Sequence, residues 1–183
     1  TAIGLNSLQV NTTGENNTAM GSGAADSNTT GDSLVAVGNS ALGANTTGTR
    51  NVGIGHAALA GNTTANNSTA VGHAALQANT TGHSNVAIGR TAATANTTGI
   101  QNSVLGTDAL QANTTRANNV AVGQGALQVN TTGESETAVG AAALDSCTTG
   151  VWNTGIGKSA LHAVTTGYRN TAIGKDCGAN VIT

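Results

Sequence analysis

The sequence predicts an all-β fold: one parallel β-solenoid, a β-helix or β-roll of 17-residue coils, spanning residues 1–183 as a single domain. Three observations carry this expectation. TAIG at residues 1–4 returns as TAMG at 18–21, VAVG at 35–38 and VGIG at 52–55, and so on to TAIG at 171–174, every step being 17 residues without insertion or deletion. The composition disfavours helices and a conventional core. Gly numbers 26, Pro and Phe are absent, aromatics are 1% and charged residues 8%, and Thr, Ala, Asn and Gly make up more than half of the chain. Gly, Thr and Asn are poor in helix interiors, and aromatics normally supply much of a core's bulk. The strictness of the period has a mechanical reason too. In a stack of coils roughly 4.8 Å apart, one extra residue would displace every later column from register.

Several classes are excluded. A 17-residue period is neither a heptad nor an eleven-residue coiled-coil repeat, and it is half the length of the common helical repeats. Glycines without a three-residue period exclude collagen. A net charge of −2 argues against a nucleic-acid partner, and no apolar run approaches the ~20 residues of a membrane helix. The chain opens at Thr1 without Met, which reads as a piece of a longer repeat array.

The consensus is [TV]-A-[IV]-G-x-x-A-L-x-[small]-N-T-T-G-x-x-N, its positions numbered 1 to 17 from Thr1. Position 3 is apolar in every coil and position 1 is Thr or Val except for Ser103. The expectation is that both point inward from one strand face, opposite the Leu column at position 8. Position 4 is Gly throughout, which demands a positive φ or a contact too close for a Cβ. Position 14, Gly except for Ala65 and Arg116, reads as a left-handed turn residue. Position 11 is Asn except for Cys147, Val164 and Val181. Apolar replacements imply an inward amide, and stacked amides satisfy one another as a ladder. Alternation then turns Thr12, Thr29, Thr46, Thr63, Thr80, Thr97, Thr114, Thr131, Thr148 and Thr165 at position 12 outward, and the threonines at position 13 inward. Charges gather at positions 5, 6, 9, 15 and 16, the expected solvent-facing corners, with Arg116 and Glu136 outside that set.

No catalytic constellation or metal site is expected, and no cofactor. His56 and His73 share one corner in adjacent coils, about one coil spacing of ~5 Å apart, and no carboxylate cluster accompanies them. Cys147 and Cys177 lie nearly two coils apart, about 10 Å along the axis, too far to bridge, and read as buried free thiols. N-T-T is formally a glycosylation sequon, but an inward Asn is out of a glycan's reach. Trp152, Tyr168 and Arg169 form the one chemically rich spot. Trp152 and Arg169 occupy position 16 in adjacent coils, placing a guanidinium over an indole, with Tyr168 beside Val151. This is the candidate binding patch, for a sugar or a neighbouring chain.

The stretch Asn85–Gly99 resembles repeats of long phage tail fibres and bacterial surface fibres, many of which end in a self-cleaving intramolecular chaperone. Its N-[TV]-A-[IV]-G core resembles the head repeats of trimeric autotransporter adhesins. The resemblance implies a non-enzymatic rod outside the cell, on a cell surface or on a virion, associating with copies of itself end to end or laterally, a trimer being one such arrangement. The rival expectation is an ice-binding protein using a regular Thr/Asn face. Neither end carries an atypical capping coil, and the columns continue to Thr183, so both ends are expected to be covered by further coils or stacked subunits.

Overall fold

A computed structural model describes residues 1–181, and the expectation for Thr183 lies outside the described residues. Eleven short strands, from β1 (Ala2–Ile3) and β2 (Thr18–Met20) to β11 (Thr171–Ile173), form one parallel sheet in strict chain order. Each residue pairs with the one 17 further on, as in Val71↔Ile88 and Thr154↔Thr171. The chain is therefore a β-solenoid of 17-residue coils, with no helix among the described residues. Eleven coils at roughly 4.8 Å make a rod about 50 Å long.

Each coil has three residues of strand, two in the first, and closes through bends. The corners at positions 6, 8 and 16 are left-handed, with φ between 48° and 62° at residues as varied as Leu42, Ala74, Asn118 and Trp152. Such a conformation costs an L-residue about 1–2 kcal/mol. Backbone bonds to the coils above and below hold it, as where Leu42 N donates to Ala58 O at 3.0 Å.

The interior is thin and largely aliphatic. Position 2 supplies Ala36, Ala70, Ala87 and their equivalents, position 7 Ala41, Ala75 and Ala109, and position 8 the large members Leu42, Leu76 and Leu110, all fully buried. The space between position 2 and a Leu at position 8 admits little more than a methyl, and buried Val104, the one larger residue at position 2, follows a coil whose position 8 is Ala93. A Cβ built on Gly53, a position 2 glycine, meets Ala58 O at 3.0 Å and Leu42 Cγ at 3.2 Å.

This narrow interior overturns the expected inward placement of positions 1 and 3. Alternation holds along the strand, but its phase is opposite: the small residue at position 2 points in and the branched residues point out. Ile3, Met20, Ile54, Ile88, Leu105, Ile156 and Ile173 are between 37% and 69% exposed.

Position 4 has both constraints its invariance suggests. Its glycines have φ between 126° and 145°, and a Cβ on Gly55 would lie 2.5 Å from Gly72 O. Position 14 is a correction. None of its glycines has a positive φ. What excludes a side chain there is crowding: a Cβ on Gly150 would meet Gly167 O and Cys147 Sγ at 2.7 Å. Ala65 is buried in that column, whereas Arg116 turns out to solvent and pairs with Glu134 at 3.5 Å.

Candidate functional site

The polar interior consists of two amide ladders. At position 11, Asn45 Nδ2 donates to Asn28 Oδ1 at 2.8 Å, Asn62 to Asn45 at 2.8 Å, and Asn96 to Asn79 at 2.9 Å. From Asn11 to Asn113 each amide also donates to the position 14 carbonyl of its own coil, as Asn79 does to Gly82 O at 2.9 Å. The inward Asn ladder is thus as expected. A second ladder runs at position 17, which the sequence reading left unassigned. There Asn119 Oδ1 accepts Glu136 N at 3.1 Å, and Asn102 Oδ1 accepts Asn119 N at 3.1 Å. The amides of this column also donate Nδ2 to the position 14 carbonyl of the next coil, as Asn17, Asn51, Asn85 and Asn153 do. Satisfied buried amides rigidify a stack, because each unpaired one would cost about 1–3 kcal/mol.

The first ladder breaks between coils seven and eight. Asn113 Oδ1 and Asn130 Nδ2 are buried without a hydrogen-bond partner, and Asn130 Oδ1 instead accepts Gly133 N at 2.8 Å. The break falls where Arg116 occupies the glycine column and just below Cys147, which offers no amide to Asn130.

Beside it sits Glu136, a carboxyl in the position 17 amide column and fully buried. It accepts Asn153 N at 3.1 Å and Asn153 Nδ2 at 2.9 Å. Burial outweighs these donors and pushes its pKa up to about 7. Burial, reinforced by the Glu136 charge, pushes the Cys147 thiol up to about 12, so Cys147 is an inert thiol. Its buried placement is as expected, but Cys177 is exposed, contrary to expectation, because the terminal coil leaves it uncovered on one side.

The threonine ranks also differ from expectation. Position 12 is mostly half-buried, and its hydroxyls are engaged between coils: Thr12 Oγ1 donates to Thr29 O at 2.9 Å, Thr63 to Thr80 O at 3.1 Å, and Thr148 to Thr165 O at 3.2 Å. Position 13, expected inward, is the exposed rank, including Thr47, Thr81 and Thr98. The coil turns at the amide, so strict strand alternation does not extend across it.

The corner patch assembles as expected. Arg169 Cζ lies 4.9 Å from the Trp152 ring centroid, and Val151 and Tyr168 form an isolated parallel bridge. Trp152 and Tyr168 are 51% and 65% exposed. The guanidinium covers part of the indole, leaving an exposed aromatic-basic ridge. Charge and stacking are available there, but the ridge is convex, and no cavity opens among the described residues. His56 and His73 stack with ring centroids 5.1 Å apart. Among the described residues, no group of three or more metal-ligating side chains gathers around them or elsewhere. No protein-family model, no curated protein and no solved structure matches the chain.

Proposed function

We propose that this chain is a structural, non-enzymatic β-solenoid segment of an extracellular fibre or phage tail fibre, acting as a rigid shaft or adhesin at a cell surface or on a virion. Its partners in this reading are copies of itself. One observation carries it: coil after coil repeats one cross-section, tied to the next in register by parallel strands and buried amides. A solenoid so built is stiff along its axis, and its length scales with coil number. The adhesive part of the reading falls on Trp152, Tyr168 and Arg169, an amphipathic pair of aromatics beside a cation. Electron microscopy of the native source tests the shaft. Slender filaments giving a 4.8 Å axial repeat in diffraction are expected, whereas compact particles alone would remove the reading.

Ice binding is the second reading, supported by the exposed position 13 threonines at regular coil spacing. It has lost the Asn half of its expected face to the interior, and the Thr12 rank to bonds between coils. A thermal hysteresis measurement separates the two: activity lost on replacing Thr64, Thr81 and Thr98 by Lys would favour ice.

A further inference from the structure

The outer face of the sheet is an uncharged strip, an apolar column at position 3 beside a column of Thr, Val and one Ser at position 1. Positions 1 and 3 place Val86 beside Ile88, Ser103 beside Leu105, and Thr154 beside Ile156, side by side and solvent-facing in each coil. No charged residue occurs at positions 1 to 4 of any coil. The molecule therefore buries alanines and exposes its isoleucines. Parallel sheets occur almost only with both faces covered, and here the coil covers one face alone. A strip about 50 Å long and about 10 Å wide, from the strand spacing and rise, spans roughly 500 Å² before side-chain relief, the upper range of what a monomer exposes.

The geometry points to a further copy of this chain as the cover, rods parallel and strips facing one another. This rests on the reading of the chain as an assembling fibre segment and names the surface that assembles. The argument for a copy is periodic. Ridges on the strip recur once per coil, and a surface complementary along the whole length needs the same spacing, which another solenoid of 17-residue coils supplies. Two such faces bury roughly the 1,000 Å² that a specific interface requires. The rims suit an interface edge: Arg90 and Lys158 at position 5 flank one side, Asn67 and Gln101 at position 16 the other, all exposed.

The test is the mass of the 183-residue chain in solution, by light scattering after gel filtration, with far-UV circular dichroism to follow the fold. The wild type is expected at a multiple of 17.7 kDa. The triple variant I54K/I88K/L105K is expected at 17.7 kDa with an unchanged spectrum, since these side chains do not enter the core. T81K/T98K/T115K, on the exposed position 13 rank, is expected to keep the wild-type mass. Hydroxyl-radical footprinting of the unmodified chain gives an answer independent of any variant's folding. Met20 and Leu105 should be protected relative to Val10 and Val129, which are comparably exposed in the single chain but off the strip. A monomeric wild type, or an assembly that leaves Met20 and Leu105 reactive, overturns the inference. Filaments in the native source alongside either result would leave the shaft reading standing and remove only this surface.

Discussion

Replacing Asn79 by Ala removes one rung from the middle of the intact amide ladder. Asn79 is fully buried. Its Nδ2 donates to Asn62 Oδ1 at 3.0 Å and to Gly82 O at 2.9 Å, and its Oδ1 accepts from Asn96 Nδ2 at 2.9 Å. Gly82 O has no second amide donor, because position 17 of the coil below is Ser68. The substitution therefore orphans two buried acceptors and strips one bond from Asn96, which keeps Gly99 O at 3.0 Å. At about 1–3 kcal/mol for each orphaned group, the expected loss is about 4 kcal/mol. Asn130 in the same column supplies the comparison. Its Nδ2 is already without a partner, and its single bond is the one from Gly133 N at 2.8 Å. Asn130→Ala should therefore cost about 1 kcal/mol. Urea unfolding followed by far-UV circular dichroism measures both, with the slope compared first so that a change in cooperativity is recognised. Equal losses for the two variants would refute the ladder argument, as would a loss below about 1 kcal/mol for Asn79→Ala.

The remaining predictions concern the buried carboxyl and the strand phase. Glu136 has a folded pKa of about 7 against 4.5 for its ordinary value, so the fold favours its protonated form. Its contribution is fully present below pH 4.5 and is lost as pH rises through 7, a swing of about 3 kcal/mol. Glu136→Asn should abolish most of that slope in melts between pH 4 and 8, and raise stability at pH 8, because the new amide restores a donor toward Gly150 O. A wild-type stability that rises with pH across this range would contradict the assignment. Leu76→Asp, placing a charge at a fully buried site, should unfold its local coils. Ile88→Asp, at a site 38% exposed, should leave the circular dichroism spectrum of the isolated chain unchanged. Comparable unfolding by the two would restore the inward placement of position 3.

The period, the solenoid, the invariant glycine at position 4, the Leu column and the inward amides at position 11 were legible in the sequence. The reason is that each depends on the coil meeting an identical coil. A backbone that combines a φ of 126° to 145° with a neighbour 2.5 Å from where a Cβ would stand tolerates only Gly in every repeat, and the position 11 ladder takes only Asn or an apolar substitute. Such constraints recur once per coil and are read directly from eleven aligned copies. The phase of the strand was not legible, because T-A-I offers an apolar residue to both faces and periodicity cannot say which face is inside. The tertiary structure decided it through thickness: the gap between the strand and Leu42 or its equivalents fits Ala36 and its column, and does not fit Ile. Crowding, rather than a turn, also favours Gly at position 14, where Ala65 and Arg116 are the exceptions. The tertiary structure also puts Glu136, the position 17 charge that the corner columns do not account for, into the interior between Asn119 and Asn153. The sequence by itself determined what repeats. The width of the coil determined which side of the repeat meets water.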